Sequence, residues 1–302
     1  MTSILTNVAA MSALQTLRGI NGSLEETQSR VSSGYRVAEA KDNAAYWSIA
    51  TTMRSDNKAL SAVSDALGLG AAKVDTAYSA MDSAIDIVSE IKAKIVAATE
   101  KGVDKTKVQD EIAQLQQQLL SVAQSASFSG ENWVAGNTTK SVVSSFVRDA
   151  NGQVSVQTTE YFLDDSTSGN VLFGMTTTGA IDTATGIIGT SSGSVGSIFS
   201  MDITSFSDSD INLALTTVEN GLSALTKAGS QLGSISTRID LQESFVSNLS
   251  DSIDSGVGRL VDADMEEESS KLTALQTQQQ LAIQSLSIAN NSAQNVLTLF
   301  KG

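Results

Sequence analysis

The sequence predicts a mainly α-helical protein in which the N- and C-terminal segments form a long antiparallel helical bundle or coiled coil, with a small β-rich surface insertion. Three observations support this fold class. The 302-residue chain contains no Pro, and Pro disrupts the interior of a helix. Apolar residues recur at three- and four-residue steps towards both chain ends, which is the helical period. In the middle, which is rich in Ser, Thr and Gly, the apolar period becomes two.

The N-terminal segment carries the first helical stripe. Its residues alternate three- and four-residue steps, with polar interruptions, in the a/d pattern of a coiled coil. Gly34 then ends the pattern. The stripe consists of Leu14, Leu17, Asn21, Leu24, Gln28 and Val31.

Two further stripes follow in the N-terminal half. We expect the helix of the first one to end at Gly102, in the C′ position that favours Gly. Thr106 and Gln109 have the spacing of a capping box, which predicts that the next helix begins there. The first of these stripes consists of Val74, Ala77, Met81, Ala84, Val88, Ile91, Ile95 and Ala98, and the second of Ile112, Leu115, Leu119 and Val122.

The C-terminal half has the most regular pattern. Apolar residues repeat every seven positions without a slip, and they predict one helix over residues 208–260, about 80 Å long at 1.5 Å per residue. A last stripe occupies the C-terminal end. The heptad positions are Ile211, Val218, Leu225, Leu232, Ile239, Val246 and Ile253, and the last stripe consists of Leu272, Leu275, Gln279, Ala282, Leu286, Ala289, Ala293, Val296 and Phe300.

The segment between the helical halves, residues 130–207, has the composition of loops and short strands. Residues 142–147 and 154–158 have the period-two pattern of β-strands, and Asn151-Gly152 between them indicates a hairpin turn. Residues 166–200 are close to low complexity. We therefore expect a surface loop with weak strands over this last stretch.

These patterns predict three parts. Residues 44–140 with 205–263 form a helical bundle whose stripes cover one another. Residues 1–43 with 264–302 form a terminal coiled-coil layer, and residues 141–204 form a short, variable, surface-exposed β/loop region. Because single amphipathic helices are only marginally stable in water, we expect the terminal stripes to fold fully when partner chains cover their other face.

The composition restricts the possible functions. The chain has neither Cys nor His, so a thiolate nucleophile, the usual general base and the commonest metal ligands are all missing. A formal net charge of −14 argues against nucleic acid or an anionic membrane as a partner. The longest apolar run is too short to span a membrane, and the first eight residues lack the features of a cleavable signal peptide. We expect neither catalysis nor a cofactor.

One pattern resembles the nucleophile elbow of hydrolases. Gly189-Thr-Ser191-Ser-Gly193 matches G-x-S-x-G, in which the Ser attacks the substrate with the help of a His. Because the chain has no His and the match lies in a Ser- and Gly-rich stretch, we expect no catalytic role for Ser191.

Two groups of carboxylates have the chemistry of a hard-cation site. The first resembles an EF-hand loop, but its sixth position is Leu213 where the loop requires Gly, and the heptad pattern requires a helix. We favour Asp208 as a helix N-cap. The second group is explained better as a solvated helix start. The first group is Asp208, Asp210, Asn212 and Glu219, and the second is Asp262, Asp264, Glu266, Glu267 and Glu268.

Two segments carry a family resemblance. Residues 32–45, S-S-G-Y-R-V-A-E-A-K-D-N-A-A, resemble the S-S-G-x-R-I-x-x-A-x-D-D-A-A signature of bacterial flagellins. Residues 289–300, A-N-N-S-A-Q-N-V-L-T-L-F, resemble the flagellin ending A-N-Q-x-x-Q-N-V-L-x-L-L. Residues 109–112 and 128–130 match the family's Q-x-E-I and F-N-G in order and spacing. The short middle is similar to that of the short flagellins of soil α-proteobacteria.

This resemblance implies a structural subunit of the extracellular flagellar filament, which polymerises through its terminal helices into a helical tube for swimming. The two chain ends would line a central channel, and the inner stripes would form the layer around it. The implied partners are further copies of the chain, other flagellins in the same filament, a flagellar export chaperone, the type III export apparatus, and hook-associated and cap proteins. A filament requires contacts that do not close into a ring.

The resemblance also identifies candidate interface residues and one departure. Ser89 stands where many flagellins have the arginine that the vertebrate Toll-like receptor uses, so we expect weak receptor activation. For each interface position, the alternative is packing within one subunit. The candidate polymerisation interface is Leu14, Leu17, Leu24, Val31, Arg36, Leu286, Val296, Leu299 and Phe300.

Three other functions stay open at this point. A flagellin-like hook–filament junction protein shares the terminal helices but does not polymerise at length, so self-assembly of the purified chain separates it from a filament subunit. A carboxylate-dependent glycosidase and a calcium-binding adhesin belong to other classes. Sugar cleavage or calcium-dependent thermal stabilisation would identify them.

Overall fold

A computed structural model of the chain describes residues 7–149, 152–191 and 193–299, with side chains up to Asn291 in the last range. The described chain is mainly helical, as the sequence predicts. None of its helices is both long and apolar enough to cross a membrane. The helices are α1 Val8–Ser33, α2 Ala44–Ala97, α3 Lys105–Ser125, α4 Gly186–Gly189, α5 Asp208–Val261 and α6 Met265–Leu299, and the strands are β1 Ser127–Phe128, β2 Glu131–Asn132, β3 Thr139–Arg148, β4 Val154–Phe162, β5 Gly174–Met175 and β6 Ile181–Asp182.

The chain divides into two compact units. The first consists of residues 1–58 with 251–302 and contains α1 and α6, and the second consists of residues 59–250. The long helices α2 and α5 contribute residues to both units. The predicted boundaries at 43/44 and 263/264 coincide with the breaks between α1 and α2 and between α5 and α6, and the three-part division stays a prediction.

The second unit, residues 59–250, is hereafter called the inner unit, and it is built on the regular apolar stripes. All eight residues of the predicted stripe from Val74 to Ala98 are at most 2% exposed, and all but Ala98 lie on α2. The predicted α5 heptad is buried from Ile211 to Val246. Pairs such as Lys92 with Glu219 and Asp75 with Ser236 show that the two helices run antiparallel. Because both helices present an apolar stripe of matching length, they form a closed seam that removes these side chains from water.

The connection between α2 and α3 differs from the prediction. Helix α2 ends at Ala97, and Gly102 lies in the following turn with φ +102° rather than at C′. The N-cap of α3 is Asp104, whose carboxylate accepts from the Thr106 amide at 3.0 Å. The capping-box prediction for Thr106 and Gln109 is wrong, because Gln109 instead donates to the Met201 carbonyl and accepts from the Ile203 amide.

The predicted stripe on α3 is also only partly confirmed. Ile112 and Leu119 are buried as predicted, but the position between them that reaches the core is Gln116 and not Leu115. The Gln116 amide donates to the carbonyls of Ile198 and Met201, both at 3.0 Å. A buried amide is stable when it is hydrogen-bonded, so Gln116 holds the returning chain against α3.

The insertion contains the predicted hairpin. Strands β3 and β4 pair antiparallel from Thr139 opposite Phe162 to Arg148 opposite Val154, with an irregularity after Val143. Gly152 has φ +80°, as a tight turn requires, while Asn151 lies outside the described residues. The inner face of the hairpin packs on α2, because a Cβ at Gly70 would lie 2.1 Å from Val142 Cγ1.

Residues 166–200 are not the surface loop that their composition predicts. Two weak strands are present, but the segment also builds a small core in which the rings of Phe173 and Phe199 meet edge to face at 5.4 Å. At Gly186 a Cβ would lie 2.6 Å from the Leu172 carbonyl oxygen and from Phe173 Cα. The missing side chain therefore allows these two backbone segments to approach closely. The buried apolar residues of the segment are Val171, Leu172, Phe173, Ile187, Ile188, Val195 and Ile198.

Candidate functional site

The terminal helices α1 and α6 pack against each other as an antiparallel pair. The Asn7 side chain donates to the Ala289 carbonyl at 2.9 Å near one end of the pair. In the middle, Gln279 donates to Asn21 at 2.7 Å. At the other end Arg30 donates to Glu268 at 3.1 Å. These three contacts define one register along about 35 Å of α1, at 1.5 Å per residue.

The α6 side of the seam follows the predicted stripe. Residues Leu272, Leu275, Gln279, Ala282, Leu286 and Ala289 are buried or half-buried, and their neighbours are exposed. The same alternation extends backwards to Glu268, which is 7% exposed. The seam is therefore one heptad position longer than the apolar pattern indicates, and that position carries a carboxylate.

The α1 side of the seam differs from the prediction at every second position. Leu17, Leu24 and Val31 lie on it as predicted, but Asn21 and Leu14 are exposed. The residues that alternate with Leu17, Leu24 and Val31 lie one position earlier in the sequence than predicted. They are Ala13, Ile20 and Thr27 in place of Leu14, Asn21 and Gln28.

Several large apolar side chains of this pair face solvent. Ile288 is 69% exposed and Val8 is 68% exposed. Since Asn7 contacts Ala289, Val8 and Met11 lie at the level of Ile288 along the pair. These exposed side chains form the outward face of the pair, which remains after the helices have paired. The exposed apolar residues of α1 and α6 are Val8, Met11, Leu14, Leu281, Ile283 and Ile288.

The loop after α1 joins the C-terminal segment through its backbone. Tyr35 forms a β-bridge with Asp262, and the amides of Arg36 and Val37 donate to the Val261 carbonyl at 2.7 and 3.1 Å. The Arg36 guanidinium donates to the Leu260 carbonyl at 3.0 Å. Gly34, with φ +75°, allows the sharp exit from α1. The segment with the family signature thus forms a junction within one chain.

A carboxylate shapes the same loop. Asp42 accepts from the amides of Glu39 and Ala38, both at 3.0 Å. These two backbone donors, with that of Glu39 the stronger, hold the pKa of the Asp42 carboxyl below its ordinary value. Val37 then packs in a small apolar cluster with Ala50, Val257 and Val261. The loop is therefore anchored at both of its ends.

The candidate interface residues are distributed unevenly over this geometry. Leu17, Leu24, Val31 and Leu286 lie on the seam within one subunit, whereas Leu14 is 38% exposed. Arg36 contacts the chain's own carbonyl. The side chains of Val296 and Leu299, and all of Phe300, lie outside the described residues. The exposed apolar residues Val8, Met11, Leu281, Ile283 and Ile288 are not among the predicted interface residues, because they lie off the a/d stripe.

The two acidic groups lie at helix starts. Asp264 accepts from the amides of Glu266 and Glu267 at 3.0 and 3.2 Å, as an N-cap of α6. We expected this second group to be solvated, and for Glu268 this is wrong, because Glu268 is buried against Arg30. In residues 7–149, 152–191 and 193–299, no cluster of three or more carboxylates is arranged to hold a metal ion.

The EF-hand-like residues lie on helix α5, and Glu219 pairs with Lys92. Asp208 is the first residue of the helix, and the cap is formed one residue earlier. Ser207 and Asp210 exchange hydrogen bonds there, with the Ser207 amide donating to the Asp210 carboxylate at 3.0 Å. The Ser207 hydroxyl also donates to the Asp210 carboxylate at 2.6 Å, and this bond first, then that of the Ser207 amide, lowers the pKa of Asp210.

Two single residues complete the predicted set. Ser191 is exposed in a connecting segment after α4. Ser89 is exposed on α2, directly after the fully buried Val88. A side chain at position 89 is therefore presented to solvent directly beside the buried stripe of α2.

Comparisons with known proteins cover most of the chain. The family model of the bacterial flagellin N-terminal helical region matches residues 4–139, and that of the C-terminal helical region matches residues 215–300. Flagellin C of Rhizobium meliloti (strain 1021) is 55% identical over 324 residues, and Flagellin D of Rhizobium meliloti is 48% identical over 394 residues. Flagellin of Brucella melitensis biotype 1 is 46% identical over 308 residues. Each alignment covers the whole of both chains.

Proposed function

This chain belongs to the bacterial flagellins, the structural subunits of the flagellar filament, and on that premise we propose that it polymerises through the outward face of its terminal helix pair. The relatives over its whole length are named flagellin, which supports a filament subunit over a hook–filament junction protein. The function is structural, and we propose that the chain has no catalytic activity of its own.

The observation that carries this proposal is the apolar surface left over after α1 and α6 have paired. Val8, Met11, Leu281 and Ile288 are each 59% exposed or more, although each belongs to a helix that already has a partner. Burying such side chains releases about 25 cal/mol per Å² of apolar surface. A neighbouring subunit that covers this face with a different part of its own surface would gain that free energy, and such heterologous contacts can continue without closing.

The candidate interface residues then divide into two roles. Leu14 belongs to the outward face, which contacts neighbouring subunits. Leu17, Leu24, Val31 and Leu286 hold α1 against α6, so they act on polymerisation indirectly by building that face. We propose the same indirect role for Arg36, which closes the junction, and we retain Val296, Leu299 and Phe300 as part of the C-terminal contact. We propose that Val296, Leu299 and Phe300 are buried in the polymer.

Further partners follow from family membership. We propose export through the flagellar type III apparatus with a dedicated chaperone, assembly outside the cell beneath cap proteins, and attachment through hook-associated proteins. The missing disulfides favour this route, since a chain without Cys can cross a narrow channel unfolded and without crosslinks. Other flagellins can join the same filament.

The test is filament formation by the purified chain, measured by sedimentation and electron microscopy. We expect long filaments from the natural sequence. Met11→Asp combined with Ile288→Asp should reduce pelletable filament by ~10-fold or more, because each charge would be buried without a partner at the contact between subunits. A natural chain that stays a compact monomer under all polymerising conditions would refute the proposal.

The matched control adds the same two charges to the same helices. Ser23 and Thr273 are exposed and polar and lie at least eight residues along their helices from the apolar residues of the outward face, so Ser23→Asp combined with Thr273→Asp should leave filament yield unchanged within about twofold. Leu17→Asp is a third variant with a different mechanism. It should abolish assembly by separating α1 from α6, while circular dichroism shows that the inner helices stay folded.

A separate test concerns the vertebrate receptor. Because Ser89 offers no cation where the receptor uses an arginine, we propose weak activation by the monomer. Ser89→Arg should increase the signal in a receptor reporter assay without changing stability, since position 89 is exposed. Strong activation by the natural chain would contradict this.

A further inference from the structure

A partly buried ion pair, in which the carboxylate is the buried partner, lies at one end of an otherwise uncharged helix seam. Arg30 Nη1 donates to Glu268 Oε1 at 3.1 Å, and the Glu268 side chain is 10% exposed. Its second oxygen, Oε2, is buried with no hydrogen-bond partner among the described residues. A buried carboxylate is unfavourable unless it is paired, and an apolar residue of similar size is often as stable or more so. Stability alone therefore does not explain Glu268 at a seam position.

The rest of the seam specifies its register weakly. From Leu272 to Leu299, α6 has no charged residue, and α1 has none from Val8 to Leu17. The seam residues there are mainly Leu, Ile and Ala, and they recur every seven positions. Moving one helix past the other by a heptad, about 10 Å, would again place small and large apolar residues opposite one another. The apolar contacts thus permit several registers of similar burial.

The ion pair distinguishes these registers. Helix α1 contains two cations, Arg18 and Arg30, and their spacing of twelve is not a multiple of seven. A slip of one heptad towards the N-terminus brings Glu268 to the level of Ser23, close to Glu25 and Glu26. A slip in the other direction takes it past the end of α1 at Ser33. In either case the buried carboxylate moves away from Arg30, and the next cation along the chain, Arg36, already donates to the Leu260 carbonyl.

We propose that Arg30 and Glu268 set the axial register of the α1–α6 pair, as the specificity-determining contact of the terminal helices. Buried polar groups in helix seams are known to select register at a cost in stability. The other two polar contacts discriminate less. Asn7 bonds a backbone carbonyl, which every residue offers, and the Asn21–Gln279 bond is exposed, so water replaces it readily.

The register matters for the outward face. Val8 and Met11 of α1 lie at the level of Ile288 of α6 only in the observed register. A slip of one heptad would move Ile288 by about 10 Å along the pair and separate the apolar residues that the two helices contribute together. This consequence rests on the proposed function, whereas the register itself does not.

The test uses the absence of Cys in the natural chain. In the full-length chain, Asn21→Cys with Gln279→Cys reports the observed register through a short thiol crosslinker. Asn21→Cys with Leu272→Cys, or with Leu286→Cys, reports a slip of one heptad in either direction. The three reporters are compared in the otherwise natural chain and in variants of the ion pair, with intrachain product separated from interchain product by gel.

Glu268→Leu removes the buried carboxylate and keeps the seam apolar. We expect helicity and thermal stability to be retained or raised, while the ratio of slipped to observed crosslink rises ~10-fold, equivalent to ~1.4 kcal/mol. The matched control is Glu26→Leu. Glu26 pairs with the same Arg30 at 2.5 Å, but its side chain is 64% exposed, so this variant should keep the natural crosslink pattern.

A second pair of variants keeps the test decisive if Glu268→Leu folds poorly. Arg30→Glu should raise the slipped crosslinks, and Arg30→Glu with Glu268→Arg should restore the observed register. If both ion-pair variants keep only the observed crosslink, the backbone junction between residues 34–37 and 260–263 sets the register and the inference is wrong. If the natural chain forms no filaments, the proposed function fails, while the crosslink pattern still decides the register.

Discussion

The inner bundle and the terminal helix pair use the same heptad period but bury different amounts of it. In the inner unit, the eight stripe residues from Val74 to Ala98 are at most 2% exposed, because α3, α5 and the hairpin all contact α2. In the terminal pair, most seam residues of α1 are only half-buried, and large apolar side chains such as Ile288 face solvent. The inner bundle completes its own core within one chain. The terminal pair leaves a surface that a further partner can cover.

Truncating an equivalent seam residue in each region should affect stability to different extents. Ile91→Ala should lower the free energy of unfolding by ~2–5 kcal/mol, because Ile91 is 0% exposed and a cavity remains. Leu24→Ala should lower it by roughly 1 kcal/mol, since Leu24 is only half-buried. Urea denaturation of the monomeric chain measures both. Equal losses would show that the terminal seam is as closed as the inner one.

The space around individual glycines also differs within the inner unit and between the inner unit and the terminal pair. Gly70→Ala should destabilise the inner unit by about 1–3 kcal/mol, because the new Cβ would overlap the Val142 side chain. Gly68 in the same helix and Gly19 in α1 have open space around a Cβ, so Ala at either position should stabilise by ~0.5–1 kcal/mol. Thermal unfolding of the monomer gives these differences.

A rescue variant controls for the Gly70 result. Adding Val142→Ala to Gly70→Ala should recover part of the lost melting temperature, because it removes the atoms that the new Cβ would meet. If Gly70→Ala alone were stabilising, the close approach of the hairpin to α2 would be wrong.

Helix caps provide a smaller and better-matched contrast. Asp104 caps α3 in the inner unit and Asp264 caps α6 in the terminal pair, each through amide donors at 3.0 Å or slightly longer. Each Asp→Ala change should cost ~1 kcal/mol. The loss at Asp104 should appear in global unfolding, and the loss at Asp264 in faster amide hydrogen exchange confined to the first turns of α6. A global effect at Asp264 would mean that the terminal pair unfolds together with the inner bundle.

The smallest expected effect is one of pH in the inner unit. Lys73 first, and then the Trp133 indole, donate to Glu131 and hold its pKa below the ordinary value of 4.5. A depressed folded-state pKa contributes stability that is present above the unfolded value and is lost as pH falls through the folded value. Because Glu131 is 42% exposed, this contribution is under ~1 kcal/mol.

Glu131→Gln measures that contribution. It should lower the melting temperature slightly at neutral pH and remove the difference from the natural chain once both are below the folded pKa of Glu131. Thermal melts at neutral pH and in acid would detect the convergence. A difference that grows in acid would contradict the assigned sign.

Long-period features were predictable because they depend on local spacing. The α5 heptad, the α2 stripe and the α6 stripe up to Ala289 follow directly from where the apolar residues stand. The terminal seam of α1 was half predicted. Leu17, Leu24 and Val31 fit either of two neighbouring a/d assignments. The larger apolar residue at Leu14 favoured the wrong assignment over Ala13, whereas Ile20 beside Asn21 favoured the observed one, so the pattern along α1 gave conflicting signals. The partner helix decides between the two.

The sequence by itself determined the helical fold class, the hairpin and the family, since each rests on periodicity or on a local motif. Tertiary structure decided what depends on distant segments: Gln116 binding the carbonyls of Ile198 and Met201, the core within residues 166–200, and the burial of Glu268 against Arg30. Burial is a property of two surfaces, and a pattern along one chain segment describes only one of them. For that reason, the polar residues at the seams could be assigned only once their partners were in place.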